Sequence, residues 1–567
     1  MGHPRRKPLR ASTAGLASAT VLASTALGLA PASAAQAAGA AAPAAAPAST
    51  AVSAVTVAGD PGGTAAAPAV SPATASAPTS ASASVRFVRI PGHGGTELAA
   101  NVVTPSGHDG SRRLPLVVLP TSWAVPQVEY LAQARKLADT GYVVLSYNSR
   151  GFWQSGGEIE VAGAEDLGDA SAVIDWALAH TPADPGAIGM AGVSYGAGIS
   201  LLAAAFDDRI KAVAALSGWA DLVGAIYSGR TQHLQAAAML TGAGHLTGRP
   251  GDELTAVLDG FFSSDLSREA AMIEWGRTRS PATYADRINA NGAAIMLGNA
   301  WGDSIFPPNQ YADFFERLTV DKRLEFRPGD HATPEAGGLL GLDNDTWTST
   351  RRWLDHHLKG EANGVDREAP VRLVSRSGGG DESYPDWKSV AAKTERVPLS
   401  ATREINTNLD SGANGGTVLL SGALDQFLKL PPAVSVPLLP RSLAAVWQSE
   451  RYRAERRIRG AVTLHTTVTG NKSSGTAVAH LYDVGPLGVG RLVTHAPVTF
   501  HDRTPGVPFP VDLELYATAY DVPAGHRLAL VIDSVDPLYA EHNPSGARLT
   551  FSSPAGDPSH VSVPFRE

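Results

Sequence analysis

Continuous apolar runs alternate with segments of helical period from residue 114 onward, and this alternation limits the possible folds more than any other feature. The first four runs are LPLVVLP (114–120), YVVLSYN (142–148), IGMAGV (188–193) and AVAALS (212–217). Runs without polar alternation are typical of strands buried on both faces, as in parallel sheets covered by crossover helices. The sequence therefore predicts an α/β fold with a parallel sheet between helices.

The alternation stops between about residues 219 and 284, where helix formers predominate and no buried-strand run occurs. We interpret this stretch as a helical cap over the carboxyl edge of the sheet. The α/β pattern resumes with AAIMLG (293–298), RLEFRPG (323–329) and a helix that ends in WLDHHLKG (353–360). The α/β domain is thus expected to span residues 85–365.

The texture changes after about residue 366. Short alternating runs such as VTLHTTV (462–468) and RLALVID (527–533) are separated by Gly, Pro and Asn turns. This pattern is typical of an antiparallel β-sandwich. We therefore predict that residues 366–567 form a second domain, a jelly-roll-like sandwich.

The N-terminal residues have the composition of an export signal. A basic start that includes Arg5 and Arg6 precedes an uncharged stretch of small, mildly apolar residues (11–30). PASAAQA then offers cleavage sites after Ala34 or Ala37. This layout favours a signal peptide over a transmembrane anchor, so the protein is expected to be secreted, and the paired arginines suggest the twin-arginine route.

Residues 35–84 are almost wholly Ala, Pro, Ser, Thr, Gly and Val, a composition that predicts a disordered tether. The net charge of the 567 residues is −8, so neither nucleic acid nor a membrane surface is expected as a partner. The chain has no cysteine, which excludes disulfides, thiolate metal ligands and a cysteine nucleophile. We expect no cofactor and no metal.

The motif with the clearest chemical meaning is Gly192-Val193-Ser194-Tyr195-Gly196. The pattern G-x-S-x-G is short, but here it ends a predicted buried strand and begins a predicted helix. That context produces a tight turn with an exposed, strained serine above the N–H groups of a helix N-terminus. We therefore predict that Ser194 is a nucleophile, rather than a bystander in a glycine-rich turn.

A serine hydroxyl needs a general base, and in this fold the acid and then the histidine follow the serine in the chain. Asp303 comes just after the strand AAIMLG, and His331 follows the strand RLEFRPG. Both residues therefore lie at the carboxyl ends of parallel strands, on the same rim as Ser194. His331 would accept the serine proton, and Asp303 would orient His331.

Alternatives exist for both roles. Asp330 is adjacent to His331, which makes it an awkward partner for orienting the ring. His356 and His357 lie within a helical pattern that is more typical of surface or packing residues. We favour Asp303 and His331 over these three.

The oxyanion of the acyl intermediate needs two hydrogen-bond donors. The main-chain N–H of Tyr195 follows the nucleophile and is the first. The second is expected from the loop after the strand 114–120, namely Thr121, Ser122 or Trp123, although this loop could equally be a plain connection.

The residues assembled so far resemble the family of Xaa-Pro dipeptidyl-peptidases, cocaine esterase and α-amino acid ester hydrolases. The resemblance covers about residues 85–567 and rests on several motifs together, namely GVSYGAG, NSRGFWQSGGE, Arg279-Ser280-Pro281, GNAWGD, GDH and WLDHHLKG. It implies an α/β-hydrolase core with a non-catalytic jelly-roll-like domain. It also implies a triad of Ser194, Asp303 and His331.

Two positions depart from the family pattern. Relatives use a tyrosine hydroxyl as the second oxyanion donor, whereas Trp123 stands at the matching position, where its indole N–H can still donate. Relatives carry D-x-R-G upstream of the nucleophile, whereas this chain has Asn148-Ser149-Arg150-Gly151. These changes keep the reaction class and leave the substrate open.

Three functions remain in competition. The first, a dipeptidyl-peptidase, needs a carboxylate to hold the substrate amine, for which Glu274 is a weak candidate. The second, an esterase or amidase for small acyl compounds, needs only an apolar pocket, to which Trp219 and Tyr227 can contribute. The third, a catalytically silent protein that binds carbohydrate or cell wall, is disfavoured by the complete serine, acid and histidine set.

Overall fold

The computed structural model describes residues 83–567, so the predicted signal peptide and all but the end of the predicted tether lie outside the described residues. Its first part is built on one ten-stranded sheet. In chain order the strands are β1 Ser84–Pro91, β2 Glu97–Thr104, β3 Leu114–Pro120, β4 Val143–Tyr147, β5 Ala183–Val193, β6 Ile210–Leu216, β7 Ala294–Ala300, β8 Lys322–Arg327, β9 Val371–Val374 and β10 Asp381–Tyr384.

The order across the sheet is β1-β2-β4-β3-β5-β6-β7-β8-β9-β10. Strands β3 to β9 run parallel to one another, and antiparallel pairing occurs only towards the two edges of this sheet. Both faces are covered by helices, because β3, β4, β6 and β7 are apolar almost throughout and need cover on each side. The predicted parallel sheet between helices is confirmed.

The helices around the sheet follow the predicted alternation. Those outside the cap are α1 Leu131–Asp139, α2 Ala164–His180, α3 Tyr195–Phe206, α8 Ala285–Asn291, α9 Asn309–Arg317, α10 Thr333–Leu339 and α11 Asp345–Lys359. The predicted helical cap is confirmed between β6 and β7, where it comprises α4 Leu222–Ile226, α5 Leu234–Thr247, α6 Asp252–Ser263 and α7 Glu269–Thr278.

The C-terminal part is an antiparallel β-sandwich, as the sequence predicts. Its strands are β11 Lys393–Pro398, β12 Arg403–Asn406, β13 Ala433–Ser435, β14 Ala445–Gln448, β15 Arg456–Gly460, β16 Thr463–Gly470, β17 Gly475–Val484, β18 Val489–Phe500, β19 Phe509–Glu514, β20 Thr518–Val522, β21 Arg527–Asp533, β22 Arg548–Ser552 and β23 His560–Phe565. A five-stranded sheet (β13-β18-β17-β21-β14) packs on the sheet formed by the others, and apolar residues of both fill one core.

Two features of this region differ from the sequence-based expectation. The boundary predicted at residues 365–366 falls before β9 and β10, which extend the α/β sheet rather than the sandwich. A helix, α12 Leu420–Leu428, interrupts the sandwich sequence. Within the described residues, no helix is long and apolar enough to cross a membrane.

The cap is attached to the sandwich as well as to the sheet. At the start of the cap, Gly229 lies so close to β18 that an added Cβ would meet the carbonyl oxygen of Pro497 at 2.2 Å. The Thr231 hydroxyl hydrogen-bonds the hydroxyl of Thr499 over 2.8 Å. The sandwich therefore holds the segment of chain that enters α5.

A prediction tests the closest contact in the α/β core. The start of α3 approaches the end of β3 so closely that a Cβ on Gly196 would lie 2.0 Å from the carbonyl oxygen of Pro120. Because a backbone atom cannot move aside as a side chain can, we expect Gly196→Ala to lower stability by about 1–3 kcal/mol. Thermal and denaturant unfolding of the purified variant would measure the loss.

Gly242→Ala is the matched control, since Gly242 lies in α5 with no atom within 4 Å of an added Cβ. Alanine is the better helix former, so this variant should be unchanged or more stable by up to about 1 kcal/mol. Equal stability of the two variants would contradict the contact.

Candidate active site

Ser194 lies between the end of β5 and the first residue of α3. Its backbone has a conformation that residues other than glycine rarely adopt (φ 58°, ψ −117°). The turn is possible because the residues two positions away on each side, Gly192 and Gly196, are glycines. A Cβ on Gly192 would lie 2.4 Å from the carbonyl carbon of Gly196. This strained turn directs the Ser194 hydroxyl to the rim of the sheet.

The structure brings together the three residues predicted from their order in the chain. The Ser194 hydroxyl lies 2.8 Å from Nε2 of His331, to which it donates when the ring is neutral. Nδ1 of His331 donates to Asp303 and lies 3.0 Å from its Oδ2 and 3.2 Å from its Oδ1. These distances allow proton transfer from serine to histidine with the ring held in one tautomer.

Asp303 is itself fixed by its own loop. Its Oδ1 accepts hydrogen bonds from the main-chain N–H groups of Ile305 (3.0 Å) and Phe306 (2.7 Å). These two hydrogen bonds fix the orientation of the carboxylate, which presents Oδ2 to the histidine ring.

Asp330 is adjacent to His331 in the chain, but its carboxyl group bonds to main-chain and serine donors rather than to the imidazole ring. Its Oδ1 accepts from the N–H (2.9 Å) and hydroxyl (2.7 Å) of Ser304 and from the main-chain N–H of His331 (2.7 Å), while Oδ2 accepts from Gly422 N–H at 3.2 Å. Burial raises its pKa to about 6, and the nearby charge of Asp303 adds to the rise. Asp330 joins the histidine loop to the segment that carries α12.

The environment of His331 favours its charged form. Burial alone would lower the pKa of the imidazole, but the Asp303 carboxylate outweighs burial, so the pKa lies above the ordinary value of 6.5. His356 and His357 are on α11, where they contact each other and not Ser194. The expectation that they are not part of the site agrees with these contacts.

The two candidate oxyanion donors differ in availability. The N–H of Tyr195, at the start of α3, has no acceptor among the described residues. The indole N–H of Trp123 donates to the carbonyl of Leu240 in the cap over 2.8 Å, so it is already used. The idea that the indole of Trp123 replaces the tyrosine hydroxyl of relatives is therefore contradicted.

The main-chain N–H groups of residues 121–123 are the other candidates for the second oxyanion donor. Thr121 N–H donates to the carbonyl of Tyr147 (3.1 Å), and Ser122 N–H donates to Glu129 Oε2 (2.8 Å). The N–H of Trp123 is the member of this loop left without an acceptor among the described residues. Its role as second donor stays a prediction.

Three acids near Ser194 were not found from the sequence, of which Asp166 and Glu335 are buried and Glu129 is partly buried. Glu129 contacts the β3 loop, Asp166 accepts the hydroxyl of Tyr195 at 2.7 Å, and Glu335 accepts the hydroxyl of Ser217 at 3.1 Å. Burial raises the pKa of each to about 7. No short motif marks them, because each contacts a segment distant in the chain or across a loop.

A cavity of about 170 Å³ opens from Ser194 into the cap. Its walls are mainly apolar and aromatic side chains of the cap and the rim, including Trp123, Trp219, Leu222, Ile226, Leu254, Phe261, Trp275 and Phe306. An apolar cavity of 150 Å³ is large enough to hold a benzene ring. The two aromatic residues that the sequence suggested for this pocket, Trp219 and Tyr227, both line it.

The cavity wall contains one carboxylate, and that carboxylate is already paired. Glu269 forms two hydrogen bonds with the guanidinium of Arg230 (2.9 and 2.6 Å) and accepts the hydroxyl of Tyr227 (2.9 Å). Glu274, the candidate anchor for a substrate amine, is exposed on α7 and does not line the cavity. The cavity is therefore suited to an uncharged acyl group.

Fold and site together define a serine hydrolase of the α/β-hydrolase class. Comparison with known families specifies it further. The model of the X-Pro dipeptidyl-peptidase (S15 family) matches residues 94–333, and that of the X-Pro dipeptidyl-peptidase C-terminal non-catalytic domain matches residues 363–561. The two models together match most of the chain, which therefore belongs to the X-Pro dipeptidyl-peptidase (S15) family.

Individual relatives are distant. A Bacillus cereus protein named as a candidate Xaa-Pro dipeptidyl-peptidase is 22% identical over 72% of this chain and 74% of its own length. A solved α-amino acid ester hydrolase superposes with a TM-score of 0.65 at 16% identity, covering 87% of this chain and 98% of the other. An aminopeptidase from a marine sediment archaeon superposes with a TM-score of 0.64 at 15% identity, covering 86% and 97%. Such distant structures establish the fold and not the substrate.

A substitution distinguishes the two aspartates. Asp303→Asn would leave the ring of His331 without an anionic partner, and we expect kcat to fall by about 10⁴-fold while the protein stays folded. Hydrolysis of p-nitrophenyl butyrate and circular dichroism would be compared in wild type, Asp303→Asn and Asp330→Asn. Full activity of Asp303→Asn would transfer the acid role to another residue.

Proposed function

We propose that the protein hydrolyses esters of apolar, uncharged acyl groups through an acyl-serine intermediate on Ser194. The observation that carries the proposal is the cavity beside Ser194, whose one carboxylate, Glu269, is neutralised by Arg230. A substrate with a charged amine near its acyl carbon would lose part of the hydration of that amine on entering the cavity. It would gain no ion pair there to compensate for the loss.

The reaction would follow from the hydrogen bonds of the site. His331 accepts the proton of Ser194 as its oxygen attacks the acyl carbon, and the N–H groups of Tyr195 and Trp123 stabilise the resulting oxyanion. Collapse of this intermediate expels the alcohol, which takes the proton from His331. Water then attacks the acyl-serine with His331 again as base, and releases the acid.

A second candidate is removal of an N-terminal Xaa-Pro dipeptide, which the two matching family models favour. That reaction uses the same nucleophile and base but needs an anionic group for the substrate amine. Glu269 would have to exchange Arg230 for the substrate to supply one. The ester hydrolase needs no such exchange, so we place it first.

Export is part of the proposal. It is supported by the basic, apolar and small-residue layout of residues 1–34. Hydrolysis of apolar esters outside the cell is compatible with a chain that has no cysteine to oxidise.

A substrate panel separates the two candidates. We expect p-nitrophenyl butyrate to be turned over at a kcat/KM at least about 100-fold above that for Ala-Pro-p-nitroanilide, since the cavity provides apolar contact and no free carboxylate. Ser194→Ala controls for background hydrolysis in both assays. Efficient Ser194-dependent cleavage of the anilide would favour the peptidase, and no Ser194-dependent turnover at all would exclude both.

The pH dependence tests the role of His331. Below its pKa the ring is protonated and cannot accept the serine proton, so kcat/KM should rise with pH. Because Asp303 raises the pKa of His331, the midpoint of this rise should lie above pH 6.5. The measurement is kcat/KM for the butyrate ester between about pH 5 and pH 9 at constant ionic strength. A midpoint at or below pH 6.5 would contradict the predicted coupling.

A further inference from the structure

Ser122, in the loop after β3, makes a set of contacts that constrains where protons lie. Its hydroxyl oxygen is 2.6 Å from Glu129 Oε1 and 3.0 Å from the carbonyl oxygen of Val193. Its main-chain N–H donates to Glu129 Oε2 over 2.8 Å. Val193 is the residue before the nucleophile, so these contacts join the predicted oxyanion loop to the turn that carries Ser194.

The number of hydrogens in these contacts can be counted. A serine hydroxyl has one hydrogen to donate, and a main-chain carbonyl can only accept. If the hydroxyl of Ser122 donates to Val193, its short contact with Glu129 must be donated by the glutamic acid. An ionised Glu129 would leave two acceptors to share one hydrogen.

The main-chain N–H of Val193 is hydrogen-bonded as well as its carbonyl group. The hydroxyl of Tyr130 accepts the N–H of Val193 over 2.9 Å. The carbonyl of Val193 faces Ser122, so one residue next to the nucleophile is fixed through both of its polar main-chain atoms. Glu129 and Tyr130 are consecutive residues, and Tyr130 directly precedes α1.

We propose that Glu129 is a protonated carboxylic acid and a positioning residue. It donates Oε1–H to the oxygen of Ser122, which in turn donates its own hydrogen to the carbonyl of Val193. This chain of two hydrogen bonds fixes the loop of Trp123 relative to Ser194, and with it the second oxyanion donor.

The surroundings of Glu129 agree with a neutral acid. Burial raises its pKa to about 7, and the hydrogen bonds from Ser122 lower it less than burial raises it. The described residues provide no ion pair to this carboxyl. The Tyr130 hydroxyl is a hydrogen-bond partner of Glu129 and lowers the pKa of the acid, but by less than burial raises it. The other ionisable group that faces the cluster is the carboxyl of Glu335 on the adjacent α10, which would not favour a second negative charge.

Infrared spectroscopy tests the protonation without relying on turnover. The full-length protein and Glu129→Gln would be compared at about pH 6, below the pKa of the acid, and their difference spectrum should contain the C=O stretch of one carboxylic acid. Glu450→Gln, an exposed residue in the sandwich, is the matched control and should remove a carboxylate band instead. A carboxylate band lost from Glu129→Gln would overturn the proposal.

Kinetics test the positioning role, which rests on the proposed ester hydrolysis. Glutamine can copy the neutral acid, because its NH₂ donates to Ser122 Oγ and its oxygen accepts Ser122 N–H. We therefore expect Glu129→Gln to keep kcat within about threefold of wild type, whereas Glu129→Ala and Ser122→Ala lower kcat about 10- to 100-fold with little change in KM. Wild-type kcat in Ser122→Ala, or loss of kcat in Glu129→Gln, would refute the role.

Two controls keep the outcomes separable. Thermal unfolding identifies a variant that has lost its fold, and Ser122→Ala replaces Glu129→Ala if the latter does not fold. The double variant Glu129→Ala/Ser122→Ala should be no slower than either single variant, because both break the same chain of hydrogen bonds. If wild type hydrolyses no ester, the proposed function fails while the infrared result still decides the protonation of Glu129.

Discussion

The site depends on how closely the chain can turn at Ser194. Ser194 alone separates β5 from α3, and its φ angle is positive. A Cβ added to Gly192 or to Gly196, two positions away on each side, would collide with main-chain atoms. The turn sets the height of the serine above the sheet. Since parallel strands share one carboxyl edge, the loops after β7 and β8 then reach the serine with an aspartate and a histidine.

Around this turn, buried carboxyl groups have unequal roles that follow from their hydrogen bonds. Asp303 accepts hydrogen bonds from two main-chain N–H groups and faces the histidine ring, which is the arrangement that its predicted orienting role requires. Asp330 precedes His331 in the chain. Its carboxyl oxygens accept hydrogen bonds from Ser304 and from the main-chain N–H groups of His331 and Gly422. Adjacency in the chain is thus a poor guide to function here, and the donors available to each carboxylate are a better one.

Much of the architecture could be predicted because the signals are long. Buried strands such as 114–120 and 188–193 are visible as apolar runs and predict the sheet. The residues predicted for the site each follow such a strand, and the structure brings Ser194, Asp303 and His331 together. The last two strands of this sheet, β9 and β10, were not predicted, because each has four residues with at most two of them buried, which makes no recognisable apolar run.

Features that depend on contacts between distant segments could not be predicted. The direction of the Trp123 indole is set by Leu240 in the cap. The neutralisation of Glu269 depends on Arg230, 39 positions earlier, and the contact of Glu129 with Ser122 depends on the shape of a loop. In each case the residue type is visible in the sequence, but its partner is chosen by tertiary packing.

The attachment of the cap to the β-sandwich has a further consequence. The residues from Gly229 to Thr231 rest against β18, and the cavity wall continues directly from them through Gln232 into α5. The shape of the acyl cavity is therefore partly determined by a domain that contributes no group to the chemistry. Substitutions in the sandwich around Pro497 and Thr499 would therefore alter the wall of the cavity while Ser194, His331 and Asp303 stay unchanged.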